Sequence, residues 1–348
     1  MKNQGYNIFM NNAAQNLSLK NRHANAVRTS TLAILAIILL GTSACSEPTK
    51  PLAPGSDAKF SKCYTTASWA AAPPDGKIVR TKHYEIFTTM HADQSHRILA
   101  NFMEAACARY MFETNLPAPR GKMPVYMLAT RKQWRSIATG MFGQNDPATQ
   151  LENGGYTIHG VMFCWNIGGD TTFSVASHEG LHQFLYYHMK TTLPVWAEEG
   201  FATCFEAFKM TDRKISFFPQ TNPMRLPALK IALLSDTFML AEDLVELTPA
   251  EVIKTGCCDL LEYYAQLYAL VSFIRSHPQY KAGFDKMLRD AKAGHLKLDR
   301  ENFAKHHSAR KGKNARMVFE HYITDNFVTF NKEFRAYSRK ITGLILQK

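Results

Sequence analysis

The stretch SHEGLHQF, Ser177 to Phe184, sets the strongest constraint on this chain. On an α-helix four residues advance about 400°, so His178 and His182 fall about 40° apart, one turn apart on a single face. Both imidazoles can then reach one ion. The sequence holds 13 histidines and 16 glutamates in 348 residues, and a random arrangement gives roughly 0.02 matches to HExxH per chain. Coincidence is a poor account of the motif, so its surroundings decide what it does.

Zinc held by two neutral histidines needs a third protein ligand and an open position if it is to catalyse. Glu179, next to the first histidine, is placed to act on water in that position as general base. Two residues compete for the third ligand. His188 lies six residues beyond His182, but the pattern HExxHxxGxxH requires Gly where Leu185 stands, and a continuing helix rotates His188 about 240° away. The segment PVWAEEGFATCFE offers Glu199, sixteen residues after His182, with its neighbour Glu198 as the alternative. On that helix Glu199 shares a face with Thr203, a possible partner for a ligating histidine.

HEGLH followed by WAEEGFA resembles the gluzincins, HExxH metallopeptidases whose third ligand is the Glu before the Gly of a second helix. The order of strands and helices from about residue 78 to 275 is similar to that of secreted bacterial peptidase-MA-like families. The resemblance implies a zincin-like α+β fold, Zn2+ held by His178, His182 and Glu199, Glu179 as base, and a peptide or protein substrate. In such enzymes an edge strand before the metal helix pairs with extended substrate, which assigns that role to Val161, Met162 and Phe163. They also use a downstream Tyr or His to stabilise the oxyanion, for which Tyr264 is the candidate and Tyr268 the second.

The first 44 residues hold four basic residues (Lys2, Lys20, Arg22, Arg28), no acidic ones, and the apolar run TLAILAIILL. That is the layout of a secretory signal, too short to cross a bilayer as a permanent span. LLGTSAC resembles a bacterial lipobox and makes Cys45 the lipidation site, although Thr42 stands where Leu is usual; cleavage after Ala44 is the rival reading. Both readings export the chain, and the first anchors it to a membrane. Residues 45–75, rich in Pro and small polar residues, read as a tether. Losing the signal's four positive charges lowers the formal net charge from +12 to +8. The basic segment KHHSARKGKNAR, Lys305 to Arg316, lacks interleaved aromatics, which argues against nucleic-acid binding.

Residues 76–348 form the domain. Alternating and 3.6-residue patterns give a mixed α/β lobe over 76–170 and a mostly helical lobe over 171–348. Thr130 is a helix cap, Thr248 and Glu251 form a capping box, and Asp170 or Thr171 opens the metal helix. GGYTIHGVMFCWNIGGD reads as one strand between glycine turns. Six cysteines remain after Cys45, an even number that permits disulfides in an oxidising compartment; Cys107 and Cys204 fall in apolar helical patterns that favour buried thiols. Two rival functions share these features: a non-catalytic, surface-anchored binding module, and a hydrolase of a non-peptide amide.

Overall fold

The computed structural model describes residues 58–344 apart from 62–63, 70–75, 92, 144–153, 212–213, 236 and 297–312. The signal, Cys45, Cys63 and most of the basic segment lie outside the described residues. Strands β1 (Ala58–Lys59) and β2 (Thr65–Ser68) fall within the stretch read as a tether, so the chain is already folded by Ala58. Then come β3 (Lys77–Arg80), β4 (Tyr84–Thr88), α1 (Asp93–Thr114), β5 (Met123–Leu128), α2 (Arg131–Phe142), β6 (Gly155–Ile158) and β7 (Val161–Trp165). Strands β2 to β7 form one mixed sheet in the order β2-β3-β4-β5-β7-β6, with β4, β5 and β7 parallel and the outer pairings antiparallel.

Successive side chains on a strand point to opposite faces, and the cores follow that rule. Val125, Met127, Met162 and Cys164 join the large core beneath α1. Leu128, Phe163 and Trp165 turn the other way and pack with Trp134 and Ala138 of α2 in a small separate cluster. Thr130 caps α2 as expected, accepting from the Gln133 N–H at 3.2 Å.

One strand reading needs correction. GGYTIHGVMFCW is a hairpin: Ile158 pairs with Val161 across a two-residue turn in which His159 (φ 50°) and Gly160 (φ 76°) both adopt left-handed backbone, as a mirror-image turn requires. Strand β7 therefore lies between β5 and β6, and Val161, Met162 and Phe163 are not on an edge. Met162 and Phe163 are fully buried. The strand at the sheet's end is β6.

The rest is mainly helical: α3 (Gly169–His188), α4 (Val195–Cys204), the hairpin β8 (Phe208–Met210) and β9 (Lys214–Phe217), α5 (Leu226–Leu234), α6 (Ala241–Leu244), α7 (Pro249–Thr255), α8 (Leu260–Ser276), α9 (Pro278–Ala293), α10 (Lys313–Tyr322) and α11 (Phe327–Ile341). The hairpin adds β1 to form a three-stranded sheet, β1-β9-β8. Thr248 and Glu251 make both bonds of a capping box on α7. Helix α3 begins at Gly169, one residue before Asp170, and Thr172 Oγ1 takes the Ile167 N–H instead of a cap side chain.

Two glycines set the distance between the site helices and their supports. A Cβ on Gly180 would stand 2.7 Å from the Tyr110 hydroxyl, which donates to the Ser177 carbonyl at 2.6 Å. A Cβ on Gly200 would stand 2.6 Å from both the Leu267 carbonyl oxygen and Val271 Cγ2 on α8. Backbone cannot yield as a side chain can. Gly200→Ala is expected to lower stability by about 1–3 kcal/mol, because α4 must back away from α8. Urea unfolding checks this; an unchanged midpoint would mean that the two helices separate freely.

The large core runs without a break from β4 and α1 through α4 and α8 to α11. Across the expected lobe boundary, Glu113 of α1 is buried between the guanidiniums of Arg109 and Arg275, the latter on α8. Among the described residues no helix is long and apolar enough to cross a membrane.

Candidate metal centre

His178 and His182 stand on one face of α3, and α4 brings Glu199 against them. Glu199 Oε2 lies 3.3 Å from His178 Nε2 and its Oε1 lies 3.8 Å from His182 Nε2. One ligand atom from each of the three residues falls within 4.8 Å of the others. Ligands ~2.0–2.2 Å from zinc stand roughly 3.4 Å from one another in a tetrahedron, so the donor set fits that ion after small side-chain rotations. The chemistry fits as well: two imidazoles and a carboxylate are a familiar zinc donor set with room for a fourth position.

The far side of each ring is also held. His182 Nδ1 contacts Glu198 Oε1 at 3.0 Å, and His178 Nδ1 contacts Glu206 Oε1 at 3.0 Å. A protonated Nδ1 donating to a carboxylate leaves Nε2 as the lone-pair nitrogen and fixes the ring's orientation. Glu198, the alternative ligand by sequence, is thus the partner of His182. Thr203 does not take the role expected of it, because its hydroxyl donates to the Gly200 carbonyl of its own helix at 2.7 Å. His188 is turned away, with its nitrogens at the carbonyls of Phe184 and Pro117.

Glu206 was not singled out in the sequence. It lies seven residues after Glu199, two helical turns on, at the point where α4 has just ended. It is buried, and besides His178 it accepts from Arg225 Nε (2.7 Å), Arg225 Nη2 (2.5 Å) and Asn222 Nδ2 (3.0 Å). Two serines of α3 fix the backbone that carries it: Ser177 donates to the Phe205 carbonyl at 2.8 Å and Ser174 to the Glu206 carbonyl at 2.9 Å. Every donor aimed at Glu206 is met by an acceptor oxygen. A buried charge can persist only on such terms.

Of the two tyrosines, Tyr264 borders the site. Its ring stands edge-on to His178 with centroids 6.5 Å apart, and the Arg225 guanidinium lies 5.4 Å from its centroid. Tyr268 is a brace: its hydroxyl donates to the Gln220 carbonyl at 3.0 Å and accepts from the Asn222 N–H at 2.8 Å. Glu179 is half-buried on α3, and its carbonyl accepts from Thr157 Oγ1 of β6 at 2.8 Å, which binds the sheet's end to that helix.

Burial opposes charge on both histidines, yet the carboxylates override it. Glu199 and Glu206 push His178 up to about 10, and Glu199 with Glu198 push His182 up to about 9. Glu206 is likewise drawn down to about 2 against its burial, by His178 and Arg225. In metal-stripped protein the histidine contribution to stability is therefore complete below about pH 6.5, the ordinary histidine value, and is lost as pH rises through 9 to 10. Chelator-treated protein should show a urea midpoint that falls between pH 6.5 and 10; a flat midpoint would show that these pairings add nothing. A cation entering the site must displace the same protons, so its affinity weakens on acidification.

No family model, no curated protein and no solved structure matches this chain.

Proposed function

We propose that this protein is a zinc-dependent metallopeptidase of gluzincin type with a zincin-like fold, exported and held at a membrane by lipid on Cys45. The reading is carried by the convergence of His178, His182 and Glu199 from two helices on one point. Zinc so held supplies Lewis acidity, polarising a carbonyl and making water a nucleophile near neutral pH.

The chain's own groups account for the remaining chemistry. Glu179 takes the proton of the water that attacks the peptide carbonyl and passes it to the departing amine nitrogen, so that the carboxylate is regenerated. The Tyr264 hydroxyl donates to the oxygen on which negative charge develops. Glu198 and Glu206 keep the two imidazoles oriented. An extended substrate pairs with β6, which has only β7 as a partner among the described residues. Such pairing reads backbone and tolerates many side chains.

Metal analysis by inductively coupled plasma should find about one zinc per chain, lost in His182→Ala. Wild-type protein, purified without chelators from zinc-supplemented cells and found free of metal, would overturn the proposal.

A further inference from the structure

Five cysteines lie among the described residues, all with free thiols. Cys107, Cys164 and Cys204 are fully buried in the core, where thiol reagents do not reach. Cys257 is exposed and Cys258 partly so. These two make up the middle of the four-residue link between α7 and α8. Gly256, in left-handed backbone (φ 62°), ends α7 by donating its N–H to the Val252 carbonyl, and Asp259 caps α8 by accepting from the Leu261 N–H. Between the two caps stand only Cys257 and Cys258, neighbours in the chain and both reachable from solvent.

We propose that Cys257 and Cys258 are a reversible redox pair, closed to a vicinal disulfide by exchange with an external disulfide of the glutathione class. The Cys257 thiolate attacks the external disulfide, forming a mixed disulfide and releasing one thiol. The Cys258 thiolate then displaces the second external thiol and closes the ring. The protein loses two protons and two electrons, and one disulfide becomes two thiols. Order of attack follows exposure. Cys258 is held up at about 12 by its partial burial and by the charge on Cys257, and the second of these is removed once Cys257 is in a mixed disulfide.

Adjacent Cα atoms are about 3.8 Å apart, below the usual disulfide span of about 4.4–6.8 Å. A ring closed between them is strained and hence easily reduced, which is the property of a labile disulfide and not of a structural staple. This inference is independent of the hydrolytic reading. It does bear on the same helix, since Tyr264 lies six residues beyond Cys258 on α8.

The test uses full-length reduced protein treated with oxidised glutathione, alkylated, digested and weighed by mass spectrometry. The peptide carrying both cysteines should resist alkylation, lack two hydrogens, and return to the dithiol on mild reduction. Cys258→Ser should instead hold one glutathione on Cys257. Alkylation of both residues after oxidation, glutathione on both in the wild type, a bridge from either to Cys63, or an unreactive Cys258→Ser variant would each overturn the proposal.

Discussion

Glu179→Gln is expected to keep its zinc and to lose hydrolysis by about 10²- to 10⁴-fold, the usual worth of a positioned acid–base group. The amide matches the carboxylate in volume but cannot take a proton. Glu179 is not among the three residues whose donor atoms converge, so its loss leaves the ligand set intact. Metal content, circular dichroism and turnover of a peptide library, measured side by side, decide the matter. Undiminished turnover would remove Glu179 as the base. Lost zinc would instead place it in the metal's own support.

Glu206→Ala should damage the protein more broadly. The change strips His178 of its partner and leaves Arg225 and Asn222 facing an apolar methyl in a buried setting. Removing one member of a buried ion pair costs about 3–5 kcal/mol, and removing the partner of a metal-binding histidine weakens metal affinity about 10- to 100-fold. Urea unfolding and competition with a zinc chelator read the two effects separately. Glu206→Gln, which keeps a carbonyl acceptor for the ring and the guanidinium, should fall between wild type and alanine on both. If alanine unfolds at the wild-type midpoint, the carboxylate is idle.

The contrast between these residues explains what could be read in advance. His178, His182 and Glu199 were visible because each obeys a local rule: one helical turn between the histidines, and a glutamate before the glycine of a second helix. Glu198 could not be told from Glu199 by spacing, and only the ring nitrogens each faces separate them: Nδ1 of His182 for Glu198, Nε2 of both rings for Glu199. Glu206 follows the same helical period and was within reach of the sequence. Arg225 and Asn222 were not, since they arrive from nineteen and sixteen residues beyond it, after the β8–β9 hairpin, in a stretch with no periodic pattern. The sheet was legible where strands alternate clearly, as in β4 and β5. It failed where strands are two to four residues long, as in β1, β2, β8 and β9. The hairpin carries a weak signal because its turn is His-Gly and not the Asn-Gly or Asp-Gly that most strongly marks a two-residue turn.

The six-stranded sheet presents its two faces to unequal cores. One joins every element that positions His178, His182 and Glu199, so a change of volume there is transmitted to those side chains. The other, beneath α2, is a pocket of aromatic packing around Trp134, Tyr156, Phe163 and Trp165. Substitution and even grafting should be tolerated on that outer layer while the inner one stays fixed, so related chains should diverge most over α2 and the surface it covers.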